Sequence, residues 1–63
     1  MAHTTGLKLK VERVQAGLSV NALTREMGIS RTTFWTIERA TVVKPETARA
    51  YRDAIARLTS EAA

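Results

Sequence analysis

Arg31, Thr32, Trp35, Thr36 and Arg39 lie within one nine-residue stretch and form the most chemically suggestive group in this sequence. On a helix turning about 100° per residue they share one side, within an arc of roughly 140°. A guanidinium can meet O6 and N7 of guanine with paired hydrogen bonds. Threonine offers a hydroxyl and a methyl, and an indole can press on a thymine methyl or a deoxyribose. The set suits base edges in the major groove of duplex DNA, with Arg31, Thr32, Trp35 and Thr36 as candidate base contacts. Arg39, at the C-terminal end, suits a phosphate and also complements the helix dipole. At least half of the Trp35 indole is expected at the surface. The plainer alternative makes it a rim residue of the core or part of a dimer contact. Ten Lys and Arg against six Asp and Glu give a formal charge of +4 over 63 residues. That balance agrees with a polyanionic partner.

Other chemistries find little material. With no cysteine and a single histidine, His3, the chain has neither a disulfide framework nor the ligands of a thiolate zinc site or metal cluster. No catalytic constellation can be assembled, so neither an enzyme nor a cofactor is expected, and His3 reads as a solvated tail residue. No apolar run approaches the ~20 residues that span a bilayer, and no signal-peptide core is present. A cytoplasmic protein without a membrane partner is the expectation. A domain this small buries only about 60% of its unfolded surface, so a second copy would add stability.

The stretch Leu18 to Arg39 must position the reading face. Leu18, Leu23 and Met27 give an apolar stripe that stops at Gly28, where glycine can take the left-handed cap conformation. Ser19 is the N-cap of this helix, although Ala22 rather than Glu or Gln stands three residues on, so only half of a capping box exists. Gly28-Ile29-Ser30 is the turn, and Ser30 caps the next helix, whose Phe34 and Ile37 face inward. Two short helices joined by a glycine-containing turn amount to a helix-turn-helix, with residues 31–39 as the reader. At the start of the first of them, Asn21 is a candidate phosphate contact.

Flanking helices complete the core. From Thr5 or Gly6 to Ala16 the apolar spacing Leu7, Val11, Val14 predicts a buried stripe, with Leu9 on a neighbouring row and Gly17 ending the helix. The short loop after it implies that the first two helices pack closely. Thr41 to Lys44 is a connection containing Val42 and Val43, both read as exposed. Pro45 and Glu46 then open a last helix reaching about Thr59, with Ala48, Tyr51, Ile55 and Leu58 as its core stripe. Arg49 with Asp53, Asp53 with Arg57, and Arg57 with Glu61 are opposite charges at i, i+4. Residues 1–4 and 61–63 are expected to fray. The fold class is all-α: one domain over 1–63, a compact four-helix bundle around a central helix-turn-helix, with no fifth helix.

The segment Glu12 to Pro45 resembles the Cro/cI-type helix-turn-helix domain of phage repressors and related regulators. The resemblance rests on Arg13, Gly17-Leu18-Ser19, Leu23, Gly28-Ile29-Ser30, Phe34, Ile37 and Glu38, and covers over half the chain. It implies a buried structural ion pair between Arg13 and Glu38 and a connection after the reading helix that follows the DNA backbone. Lys44 becomes a phosphate candidate, and Val42 and Val43 become candidate dimer contacts. Two residues depart from the pattern. Val20 stands where many members have a Gln that touches phosphate and braces the reader, and Ala40 stands where a Gly is usual, so helix three should run on or end in another cap.

The function these features imply is sequence-specific binding of double-stranded DNA by a small transcriptional regulator. A homodimer on a pseudo-palindromic operator would place two reading helices about 34 Å apart. An excisionase-like or antitoxin DNA-binding subunit is the alternative within the same chemistry. A protein-binding adaptor using Trp35, Val42 and Val43 is the alternative outside it.

Overall fold

A computed structural model describes residues 4–62, with side chains through Ser60. His3 lies outside the described residues. Four helices follow in order: α1 Gly6–Gln15, α2 Val20–Met27, α3 Arg31–Arg39 and α4 Pro45–Ala62. Residues with local stop and start chemistry set these boundaries. Thr5, Ser19 and Ser30 each adopt extended backbone and accept, on their side-chain oxygens, the amides of Lys8, Ala22 and Thr33. Both Gly17 (φ 72°) and Gly28 (φ 68°) are left-handed. After each, the amides of Leu18 and Ile29 return to the carbonyls of Arg13 and Thr24, satisfying the helix end. α3 ends without a glycine: Ala40 turns extended, its amide bonded to the Ile37 carbonyl. Its own carbonyl accepts the Gly6 amide at 2.8 Å, so the end of α3 satisfies the start of α1.

α1 packs against α3 and α4, and α2 against the same two helices. The short loop after α1 therefore does not bring the first two helices together as expected. Leu9, Leu23, Phe34, Val43, Ala48, Tyr51 and Ala54 form the core, with Leu18, Val20, Met27, Ile29, Ile37, Ile55 and Leu58 packed against it. The α4 stripe has the predicted phase, and Ala54 joins it.

In α1 the phase differs from the sequence expectation. Leu7, Val11 and Val14 are 66%, 45% and 58% exposed, whereas Gly6, Leu9 and Arg13 are buried. Two tertiary requirements explain the rotation. A Cβ at position 6 would fall well under 3.0 Å from the Ile37 and Glu38 backbone, so glycine must face α3 there. Seven residues on, and hence on the same side of the helix, Arg13 has to reach Glu38.

The connection after α3 also departs from expectation. Val42 is exposed, but Val43 is a core residue at 4% exposure, and its amide donates to the Thr4 carbonyl at 3.0 Å. Thr4 is therefore tied into the fold by an isolated antiparallel bridge rather than frayed. At the other end the helical backbone continues through Ala62, beyond the expected stop at Thr59. The predicted i, i+4 charge pairs give way to pairing between helices. Arg52 bonds Glu12 of α1 and Arg57 bonds Glu26 of α2. The Arg57–Glu61 expectation lies outside the described side chains.

Beneath α3 lies a buried polar network. Arg13 Nε donates to Glu38 Oε2 at 2.9 Å, with the two side chains 11% and 8% exposed. Arg13 also donates to the Leu18 carbonyl at 2.9 Å, and the Tyr51 hydroxyl donates to the same Glu38 oxygen at 2.6 Å. Tyr51 stacks on Phe34 with ring centroids 5.5 Å apart, and the Arg13 guanidinium carbon lies 5.9 Å from the centre of the Phe34 ring. α1, the end of α3 and the middle of α4 are joined at one carboxylate. Its environment predicts a fold sensitive to alkali. Burial, followed by the bond to Glu38, pushes the Tyr51 hydroxyl well above its usual value. A raised folded value favours the neutral phenol in the folded chain, so the stabilisation is complete below pH ~10 and declines as pH rises above it. Thermal midpoints measured from pH 8 to 12 should fall at the alkaline end, and Tyr51→Phe should flatten that fall. A variant with the same alkaline slope as the parent would remove Tyr51 as its source.

Candidate nucleic-acid interface

α3 turns Phe34 into the core and leaves Arg31, Thr32, Thr33, Trp35, Thr36 and Arg39 exposed. The helix is amphipathic because Phe34 and Ile37, three residues apart, are its apolar side. Trp35 is 49% exposed, just under the half or more expected of it. Its indole lines a cleft of about 600 Å³ with Val20, Lys10 and Arg39, floored in part by Arg13 and Glu38. Val20 is half buried here and supplies apolar wall rather than a hydrogen bond. Lys10, from α1, is a cation that the sequence reading did not place near the reading face. Nothing in its local context singles it out, because only the packing of α1 across α3 brings it beside Trp35.

Arg31 and Asn21, ten residues apart, meet at the other end of the reader. An Arg31 terminal nitrogen donates to Asn21 Oδ1, linking the first residue of α3 to the first turn of α2. Both side chains are exposed. Asn21 thereby limits where the Arg31 guanidinium can swing, and four of its five N–H donors stay available to an acceptor. Thr36 differs from Thr32 in its hydrogen bonding, since its hydroxyl donates to the Thr32 carbonyl one turn back at 3.0 Å. What Thr36 presents outward is a methyl and an acceptor oxygen. Lys44 is exposed just before α4, beside the buried Val43.

Three arginines among the described residues are held in ion pairs. Arg13 is held in the ion pair with Glu38, Arg52 with Glu12 and Arg57 with Glu26. The Glu12 carboxyl titrates below its usual value, first because of the Arg52 hydrogen bond, which ties that arginine of α4 to α1. Lys10, Arg39 and Lys44 take part in no ion pair among the described residues. Also among these residues, no helix is long and apolar enough to cross a membrane, and no group of three metal-ligating side chains occurs.

A short helix capped by Ser30, set on a second helix through the Gly28 turn and exposing arginine, threonine and tryptophan outward, defines a helix-turn-helix of the DNA-binding class. The chain belongs to the helix-turn-helix domain family, whose pattern it matches over residues 6–62. Comparisons with curated proteins and with solved structures find no significant match.

Proposed function

We propose that this protein is a small transcriptional regulator that binds a specific double-stranded DNA site by laying α3 in the major groove. The observation that carries the reading is the α3 surface itself. Arg31, Thr32, Trp35 and Thr36 face outward from one helix, and its inward side is locked by Phe34 and the Arg13–Glu38 pair. In this arrangement Arg31 reads a guanine, the Trp35 indole and Thr36 methyl touch thymine methyls or sugar, and Thr32 bonds a base edge. Asn21, Arg39 and Lys44, joined by Lys10, lie against phosphates and set the register. Occupying an operator and thereby blocking polymerase is the mode of action that a reader without other chemistry supports.

The adaptor reading has lost part of its surface, because Val43 is buried and Val42 alone remains exposed beside the loop. The same burial removes half of the two-fold contact proposed for a homodimer on a palindrome, and Val42 is what remains of it.

Selection of bound sequences from a random duplex pool tests the function, and one recovered site then serves for variants. Arg31→Ala should cost about 1 to 3 kcal/mol on that site and relax preference at one base pair. Asn21→Ala should weaken the same base preference by a smaller amount, since it frees Arg31 without removing it. Binding should also fall steeply between ~50 and ~200 mM salt. A pool that yields no common sequence, or a complex indifferent to salt, would refute the proposal.

A further inference from the structure

Two further surfaces remain unpartnered and match each other, one on α1, where it borders the reading face at Leu7 and Lys10, and one between α2, α3 and α4. The outer side of α1 carries the exposed row Leu7, Val11 and Val14 with Lys8 and Lys10 beside it. At 1.5 Å per residue the row is about 10 Å long. Between α2, α3 and α4 lies a groove of about 500 Å³ whose apolar wall includes Met27, Ile29 and Ile37. Of the acidic side chains among the described residues, Glu12, Glu26 and Glu38 sit in ion pairs, whereas Glu46 and Asp53 do not. Both of these carboxylates line that groove. Glu46 also serves the first turn of α4, where a negative charge suits the helix dipole, but Asp53 is mid-helix and has no such local role.

We propose that copies of this chain associate head-to-tail, the Leu7-Val11-Val14 side of α1 in one copy seating in the α2–α3–α4 groove of the next. An apolar row flanked by lysines meets an apolar groove rimmed by unpaired carboxylates, so burial and charge favour the same pairing. Self-pairing of α1 faces is disfavoured because it would bring lysines together. The two surfaces share no residue, so each copy can use both at once. Such a contact is heterologous and does not close on two copies. If the DNA-binding reading holds, neighbouring copies would occupy successive sites in the same orientation, and direct repeats rather than a palindrome would be recovered from the selection.

Sedimentation of the full chain without DNA tests the contact independently of that reading. The parent should associate progressively with concentration, past a dimer, and less so at high salt. Val11→Asp, which blocks the α1 face, and Glu46→Lys/Asp53→Lys, which reverses the groove, should each weaken self-association by about tenfold or more. Mixed in equal amounts, the two should form a one-to-one pair and nothing larger, since one intact face remains on each. A parent that stays monomeric at millimolar concentration overturns the proposal, as does a mixture that forms no pair. Groove-reversed protein that still self-associates as strongly as the parent also overturns it, pointing to an α1–α1 contact. Circular dichroism checks that Val11→Asp folds. If it does not, Lys8→Glu/Lys10→Glu replaces it, and combining this with Glu46→Lys/Asp53→Lys in one chain should restore association through reversed charges. Failure of that restoration likewise refutes the contact.

Discussion

Glu38→Ala is expected to destabilise this domain by about 3 to 5 kcal/mol, the cost of leaving a buried charge without its partner. The carboxylate receives Arg13 at 2.9 Å and the Tyr51 hydroxyl at 2.6 Å, and the Arg13 side chain is only 11% exposed. Removing it leaves the guanidinium with the Leu18 carbonyl but no counter-charge, and the phenol without its acceptor, in a region closed by Phe34. A domain of this size, at about 0.05 to 0.15 kcal/mol per residue, has only a few kcal/mol in total. The variant should therefore melt roughly 12 °C or more below the parent, or be largely unfolded at 25 °C. Arg13→Ala should do less harm, since Glu38 would keep the Tyr51 bond, and a double variant should fall short of the sum because both act on one network. Equal midpoints for parent and Glu38→Ala in thermal and urea unfolding would show that the network contributes nothing net. DNA binding measured well below the melting temperature should weaken as well, because Glu38 holds the C-terminal half of the reader against α1.

The second large effect is expected at Gly6. Alanine is ordinarily the better helix former by about 1 kcal/mol, so on propensity alone Gly6→Ala would stabilise α1. Packing opposes it. The new methyl would meet the Ile37 carbonyl oxygen and the Glu38 backbone well under 3.0 Å, and backbone atoms cannot rotate aside as a long side chain can. Relieving that overlap means lifting the start of α1 from α3. The lift strains the Gly6 amide's bond to the Ala40 carbonyl, 2.8 Å in the parent, and moves α1 away from Glu38. Overpacking of this kind costs about 1 to 3 kcal/mol, and a backbone clash belongs at the upper end, so the net sign should be destabilising. Urea unfolding of the variant gives the sign directly. A stability equal to or above the parent's would mean that helix propensity outweighs the close approach of the two backbones.

At both positions contacts between helices, not local sequence, set the outcome. Elements whose boundaries depend on a few adjacent residues were evident from the chain alone. Ser19 and Ser30 cap helices, Gly17 and Gly28 end them in the left-handed region, and Pro45 opens α4, all through interactions no more than a turn long. The α3 surface was equally plain, since Phe34 and Ile37 set which side is inward and the polar residues follow. Tertiary packing decided the rest. The i, i+4, i+7 spacing of Leu7, Val11 and Val14 marks an apolar row but does not say whether a neighbour covers it. Glycine's lack of a side chain and the charge of Arg13 hide the side of α1 that is buried. Val42 and Val43 are alike in composition, and only the Thr4 bridge, formed across nearly forty residues, sends one inward. Likewise Tyr51 on Glu38, Arg31 on Asn21 and Lys10 beside Trp35 join residues from different helices. Periodicity reports a helix's own faces, whereas the choice among those faces depends on which close approaches and buried charges the assembled helices can satisfy.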